Sequence, residues 1–370
     1  MRPLKIGIVG GSLAGLFSAI LLHGDGHDVT VFERSTHGLA GRGAGLVGQS
    51  DLFRMLRAIG CEHVGRVGVV ARERIYLDAE GRVAERIETP QTQISWDTLY
   101  STVASKLPTE RYRAGMPVMH VEEFVDHVAI SFADGHTVDF DLVIGADGLA
   151  SRVRSIVNVN DANEFAGYAA WRGIIPENDL PPDASILLDR LSFHARKGVH
   201  ALGYLVPGSK GETEQGSRRY NWVWYRPASV DELPSLFTGT SGRKYDFSLP
   251  RGEFAPSRRK PLIEDAFLVL PPQFALAIQA TSSPFIQGIF DYESERMVSG
   301  RVALVGDAAF VVRPHTAMGV AKAAGDVLAL RNALAQTKDL ADALTSFERE
   351  RISVGKDIAL YGKRLGATAL

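Results

Sequence analysis

The chain opens on a short apolar run, Ile6-Gly7-Ile8-Val9, and then places apolar residues at helical spacing from Leu13 to His23. Asp28-Val29-Thr30-Val31-Phe32 reads as a second strand, so the first thirty-odd residues predict a strand–helix–strand unit. Val128–Phe132 alternates apolar and small polar residues, and Ala133-Asp134-Gly135-His136 predicts a hairpin turn into Val138–Ile144. Arg301–Val305 is another buried strand, followed by a long apolar-periodic helix from Val320 to Ala335. Between Glu164 and Pro284 the helical period fades, and short alternating runs rich in aromatics take over, clearest in Tyr220-Asn221-Trp222-Val223-Trp224-Tyr225. A shorter excursion at Arg72–Ile94 is expected to join the same sheet. The pattern predicts an α/β nucleotide-binding layer built from 1–71, 95–163 and 285–370. Into it is set a largely β-sheet substrate domain built from 72–94 and 164–284.

Composition narrows the classes. A chain of 370 residues with 45% hydrophobic and 23% charged content has the make-up of a globular enzyme with a large core. The formal net charge of −2 offers no basic excess for nucleic acid. One cysteine, Cys61, excludes an intrachain disulfide framework and a cysteine-rich metal site, and fits a reducing cytoplasmic setting. Leu13–Leu22 is too short to cross a bilayer, so no membrane partner is expected.

The chemistry begins at the first strand end, where Gly10-Gly11-Ser12-Leu13-Ala14-Gly15 follows Val9. Such a turn lets a pyrophosphate approach the backbone at the positive end of a helix. Glu33 closes the second strand, where a carboxylate would accept the adenosine ribose hydroxyls, and Arg34 beside it is assigned to the same site. Ser12 stands where the middle glycine of G-x-G-x-x-G belongs; its hydroxyl could itself donate to a phosphate. This fingerprint does not separate NAD from FAD.

Two further blocks do. Asp141–Arg154 ends a buried strand in Asp147-Gly148, with Ser151 and Arg154 following at three-residue steps. Gly306-Asp307-Ala308-Ala309 ends another strand, and Pro314-His315-Thr316-Ala317-Met318-Gly319 leads into the long helix. Together, in this order, the three blocks resemble those of the group A flavoprotein monooxygenases, over nearly the whole chain. The resemblance implies the FAD-binding, Rossmann-like fold of the p-hydroxybenzoate hydroxylases. It implies FAD held by the Gly10–Gly15 turn and, at its ribityl chain, by Asp307 next to Gly306 and Ala308. Pro314, Ala317 and Gly319 would border the flavin ring, with a helix N-terminus facing N1–C2=O. Gly45, with Gly43 and Gly48, would belong to the segment beside a moving flavin. Asp147 is associated with FAD and nicotinamide in this family, or holds its own backbone turn.

The family implies NADH or NADPH as reductant, bound without a second Rossmann fold, and O2 as co-substrate. A C4a-hydroperoxide of the flavin would hydroxylate a hydroxylated aromatic or heteroaromatic ring in a dry site. Three departures stand out: Trp96 replaces the arginine of Arg-x-x-Leu, Phe310 replaces the histidine after Gly-Asp-Ala-Ala, and Pro314–Ala321 lacks the usual glycine and asparagine. With Tyr168-Ala169-Ala170-Trp171-Arg172-Gly173, Ser282–Phe285 and Arg313-Pro314-His315, these resemble the 2,6-dihydroxypyridine 3-hydroxylases, which implies a hydroxypyridine-like substrate.

Candidate substrate contacts are His194, His200, Tyr204, Tyr225 and, foremost, His315, whose neutral imidazole could take the proton of a substrate hydroxyl. Phe310, Met318 and Phe285 are candidate ring-lining residues, with core packing as the alternative. An oxidase, an epoxidase, a halogenase (from a partial match at Trp222–Pro227) and a non-catalytic FAD-fold protein are the alternative functions. A homodimer is a further expectation.

Overall fold

The computed structural model describes residues 2–36, 39, 45–66 and 68–369, and Gly43 lies outside them. Lys5–Val9 pairs in parallel with Asp28–Glu33 on one side and Leu142–Gly145 on the other. Val302–Leu304 and Tyr112–Ala114 extend this into a six-stranded sheet, closed at one edge by the antiparallel Val298–Ser299. Parallel strands bury both faces. Here Ile6, Ile8, Val29, Val31, Leu142 and Ile144 are all fully buried. Helix Leu13–Gly24 packs on this sheet, and helix Gly319–Gln336 packs against that helix and the Gly306–Ala308 turn.

The run Val138–Ile144 does not continue as one strand. Thr137–Phe140 closes the hairpin with Val128–Phe132, while Leu142–Gly145 enters the parallel sheet. Asp141 makes the switch, because its carboxylate accepts the Lys5 N–H at 2.8 Å and the Arg2 guanidinium at 2.9 Å.

A nine-stranded sheet carries the aromatic half of the chain. Glu164–Pro176 lies between Phe285–Glu293 and Arg219–Pro227, followed by Val199–Val206, Arg190–Arg196, Glu73–Leu77 and Val83–Ile87. Phe285 begins a strand of this sheet, so the chain returns to the nucleotide-binding layer after Glu293, not at residue 285. Phe310–Val311 pairs with the end of that strand.

The helical spacing that fades in the middle of the sequence nonetheless hides two helices, Arg259–Val269 and Pro272–Ala280. Their apolar residues are not confined to one stripe: Leu262 and Ala266 are buried, whereas Phe267 and Leu268 face solvent. The helices cover one face of the nine-stranded sheet, where Trp171, Trp222, Trp224, Tyr220 and Ile286 form a dry core with Phe274 and Ile278. Alternation sends Tyr168, Ala170, Val223, Tyr225 and Ile289 to the opposite face. No helix among the described residues is long and apolar enough to cross a membrane.

Candidate active site

Three strand ends line up at the carboxyl edge of the parallel sheet: Val9 is level with Gly145, and Gly145 with Leu304. The Gly10, Asp147 and Gly306 blocks therefore leave the sheet side by side, where open α/β sheets bind ligands. Gly10 has φ +104°, and a Cβ there would collide with the Ala146 carbonyl. A Cβ on Gly15 would collide with the Gly10 carbonyl, so the glycine lets the helix approach the strand. Ser12 caps helix Leu13–Gly24 in extended conformation, but its side chain makes no capping hydrogen bond and no acid stands in the first turn.

Glu33 is buried, and its carboxylate holds the turn itself: it accepts Gly11 N–H at 2.9 Å and Ser35 N–H at 2.8 Å. Arg34 is exposed. Tyr112, which sequence reasoning did not single out, donates to the Gly11 carbonyl at 3.1 Å, and its hydroxyl lies 3.4 Å from that of Tyr100. Trp96 stacks on Tyr100 with centroids 5.0 Å apart, so an aromatic pair stands at the position where the family resemblance implies an arginine.

Asp147 points into its own block. Its carboxylate accepts Ser151 Oγ at 2.5 Å, Arg152 N–H at 2.7 Å and Val153 N–H at 3.3 Å. Ser151 Oγ in turn accepts Arg154 N–H, and Arg154 is buried. The Arg154 guanidinium donates to the carbonyls of Ala308 at 2.9 Å and Asp307 at 2.8 Å, and lies 3.7 Å from the Tyr292 ring centroid. The second block thus works as a clamp on the third.

Gly306 is held from the other side. Its N–H donates to Asp326 at 3.1 Å, and its carbonyl accepts Lys322 Nζ at 2.7 Å. Lys322 and Asp326 are both buried, and Arg351 completes the cluster by donating to Asp326 at 2.8 Å. A buried charge cluster needs such mutual pairing. The signal for it was a lysine and an aspartate four apart in the apolar first half of helix Gly319–Gln336. A Cβ on Gly306, at φ +63°, would lie 3.0 Å from Ala14 Cβ and 3.5 Å from Ala323 Cβ, so the loop sits between the first turns of two helices.

Neither helix has a side-chain cap or an acid in its first turn, and Asp307 is exposed between them. Two positive helix ends flanking an exposed carboxylate fit a group that carries both phosphates and hydroxyls. Gly319, first residue of the second helix, has open space where a Cβ would stand. Pro314 begins a short 3-10 turn, and Ala317 takes the left-handed conformation at φ +52° that a glycine adopts without strain. Gln49 Nε2 donates to the Ala317 carbonyl at 3.0 Å. A Cβ on Gly45 would collide with the Tyr204 ring.

The front face of the nine-stranded sheet gathers most candidate substrate contacts. Cross-strand register puts Gln287, Ala170, Tyr225 and His200 in one row, and Phe285, Arg172, Val223 and Leu202 in the next. Tyr204 and Asn221 face each other one row further. Ala170, Val223 and Leu202 make a small apolar floor rimmed by polar and aromatic groups. His315 arrives from the loop: its ring lies 4.2 Å from Tyr225 and 5.4 Å from His200, and Nε2 is 2.9 Å from Tyr168 Oη. Burial lowers the His315 pKa to about 3 and that of His200 to about 4, so both imidazoles are neutral. Burial raises the Tyr168 phenol to about 12.

His194 is not part of this group. It points to the covered face, where Nδ1 meets the Leu77 carbonyl at 2.9 Å. Phe310 is core, its ring packed where Gly355 of the C-terminal helix Leu340–Ala369 leaves room. Phe285 lies under the guanidinium groups of Arg172 and Arg251, 5.6 and 4.8 Å from its centroid. Met318, half-buried, donates its N–H to Thr316 Oγ1 at 3.1 Å.

Comparison with known proteins agrees with this geometry. An FAD binding domain-like family matches residues 165–291, and an FAD binding domain family matches 286–359. The chain is 31% identical to 2,6-dihydroxypyridine 3-monooxygenase of Paenarthrobacter nicotinovorans, over 95% of this chain and 88% of that protein. It is 26% identical to 6-hydroxynicotinate 3-monooxygenase of Bordetella bronchiseptica, over 94% and 87% of the two chains. The solved 2,6-dihydroxypyridine-3-hydroxylase of Arthrobacter nicotinovorans superposes with a TM-score of 0.93 at 29% identity, covering 100% of this chain and 93% of that one. With three strand-end motifs at one sheet edge and an aromatic-lined sheet face beside them, the chain belongs to the FAD-dependent aromatic monooxygenases of the p-hydroxybenzoate hydroxylase fold.

Proposed function

We propose that this enzyme hydroxylates a hydroxypyridine-like ring, consuming one NADH or NADPH and one O2 per turnover and releasing NAD(P)+ and water. The observation that carries the reading is the apolar floor of Ala170, Val223 and Leu202, edged by Tyr225, His200, Arg172 and Gln287. A flat ring with polar edges suits such a floor better than an aliphatic chain does. The relatives named for 2,6-dihydroxypyridine and 6-hydroxynicotinate support the same substrate class.

FAD, once bound, supplies acceptance of the nicotinamide's hydride and activation of O2. Gly10, Gly11, Ser12, Leu13 and Gly15 would hold its pyrophosphate, with Glu33 and Arg34 on the adenosine side. Asp307, between Gly306 and Ala308, would take a ribityl hydroxyl. The ring would lie along Pro314, Ala317 and Gly319, with Gly45 opposite. Asp147 acts through Arg154 to shape the Asp307 loop, not by touching a ligand. His315 borders the substrate ring. The nine-stranded sheet forms the substrate domain, the parallel sheet the cofactor domain. The single buried cysteine suits the cytoplasm, and a homodimer is the expected assembly.

The test is an absorbance scan of the purified protein, followed by NADH and NADPH oxidation and O2 uptake with hydroxypyridines and phenols. Flavin bands and uptake stimulated most by a hydroxypyridine are expected. A protein that cannot take up FAD would refute the whole reading. FAD-loaded protein whose uptake no ring stimulates would refute the hydroxylase assignment.

A further inference from the structure

The side chains of Asp291, Arg313, Tyr168 and His315 stand in one row whose charges set a direction. Arg313 Nε and Nη2 donate to the Asp291 carboxylate at 3.0 and 2.6 Å. The Arg313 guanidinium also faces Tyr168, 5.5 Å from that ring's centroid, and its positive charge favours the oxygen end of the phenol. A guanidinium is positive and has donors but no acceptor, so the Tyr168 hydroxyl turns its lone pairs toward it and its own proton elsewhere. The hydroxyl's other neighbour is His315 Nε2, at 2.9 Å. Tyr168 donates there, and Nε2 accepts. A neutral imidazole whose Nε2 carries the lone pair has its proton on Nδ1. That nitrogen is buried and has no hydrogen-bond partner among the described residues. Buried N–H groups in folded proteins are nearly always paired, so the missing partner is an acceptor.

We propose that the Asp291–Arg313–Tyr168 chain locks His315 as the Nδ1–H tautomer, so that His315 donates a hydrogen bond to an oxygen of the bound ring instead of removing a proton from it. The inference rests on the hydroxylase reading above and narrows its substrate: the oxygen beside His315 is an acceptor, a place best filled by a deprotonated hydroxyl or the carbonyl of a pyridone form. A ring that keeps a protonated hydroxyl there accepts from Nδ1–H only by turning its own proton away from His315, and is the weaker acceptor. Asp291 and Arg313 are positioning residues, as is Tyr168.

The surroundings agree with a neutral donor. Tyr225 and His200 flank the His315 ring, Arg313 adds positive charge, and the Asp291 carboxylate is engaged by Arg313. On the C-terminal helix, Lys363 is paired with Glu293 at 2.7 Å. Gly366 of that helix leaves room for the Arg313–Tyr168 contact, because a Cβ there would lie 2.6 Å from Arg313 Nη1 and 2.8 Å from Tyr168 Oη.

The experiment is 15N NMR of FAD-loaded enzyme labelled at histidine, with long-range 1H–15N correlations and the His315 signal assigned by its loss in His315→Asn. The expected spectrum shows a protonated Nδ1 and a bare Nε2 at neutral pH. An Nε2–H tautomer or an imidazolium at neutral pH would overturn the proposal. Tyr168→Phe should move His315 to the Nε2–H form that free histidine prefers, and an unchanged tautomer would overturn the lock. Substrate affinity gives the second readout, since an asparagine amide can donate from near the Nδ1 position. His315→Asn should bind the best ring within about threefold of wild type, and His315→Ala about tenfold more weakly. Equal loss in both variants would remove the donor role. The tautomer measurement needs no substrate, so its outcome is separate from whether any ring is hydroxylated.

Discussion

The two faces of the nine-stranded sheet are made by the same strands and yet have opposite chemistry. On the covered face, Trp171, Trp222, Trp224 and Tyr220 interlock with helices Arg259–Val269 and Pro272–Ala280. The Trp222 indole N–H donates to Thr281 at 2.7 Å, and Arg226 and Arg258 lie over the Trp171 ring. On the front face, residues one position away along each strand are smaller or carry polar atoms: Ala170, Arg172, Val223, Tyr225, His200 and Tyr204. Buried polar atoms without a hydrogen-bond partner among the described residues lie on both faces, but the front face gathers more of them. They are His200 Nδ1, His315 Nδ1, Arg172 Nε and both amide atoms of Asn221, against Tyr220 Oη, Ser192 Oγ and His194 Nε2 on the covered face. One face spends its side chains on packing, the other on groups left for a ligand. Stability and function should therefore separate by the parity of a residue along its strand.

The largest expected effect tests the covered face. Trp222→Ala should cost about 3–5 kcal/mol of unfolding free energy by urea denaturation. A variant that kept its stability but lost substrate affinity would invert the assignment of the two faces.

Acid should act mainly through the front face. The histidines titrate near 6.5 in the unfolded chain but at about 3 and about 4 in the fold. Between those values the unfolded state binds more protons, so their contribution is complete above about pH 6.5 and is lost as the pH falls toward 4. Each adds a slope of about 1.4 kcal/mol per pH unit inside that window. The double variant His200→Gln, His315→Gln should flatten the curve between pH 6 and 5. An unaltered slope would mean that the imidazoles are not held neutral by burial.

Tyr225→Phe should leave unfolding free energy within about 1 kcal/mol of wild type while weakening the best ring substrate by about tenfold. A destabilised enzyme with normal affinity would place that hydroxyl in the structural class. Ala317→Gly, in the loop that closes the front face, should relieve left-handed strain and change stability by less than about 1 kcal/mol. Thermal denaturation with FAD bound would detect either sign, and a large loss would mean that the Ala317 methyl packs against something essential.

Much of the fold was legible because its signals are local. The Gly10–Gly15 turn, the helix expected over Val320–Ala335 and the strand before Asp307 depend on spacing within a few residues. The break at Asp141 was not legible, since the partners of its carboxylate lie near the other end of the sequence. Helices Arg259–Val269 and Pro272–Ala280 escaped because exposed Phe267 and Leu268 blur the apolar stripe. In the site, His200, Tyr204 and Tyr225 were named from residue type, and His315 from its place after Pro314 in the loop that the family resemblance sets beside the flavin. His194, also named, lies on the covered face. Only strand parity separates His194 from His200, and parity has meaning once the register is known.

By itself, the sequence determined which segments end in glycine-rich turns at strand ends, and so the cofactor and the family. It also determined that Trp222 and Tyr225 lie on opposite sides of one strand, because alternation is a property of the backbone. Tertiary structure alone decided which side meets the helices and which stays open. It also decided that Asp147 and Arg154 brace the Asp307 loop, and that Tyr168 and Arg313 reach His315. The physical reason is range: propensity and period act between neighbours in the chain, whereas the direction of a hydrogen bond at His315 depends on groups brought together from three separate strands and loops.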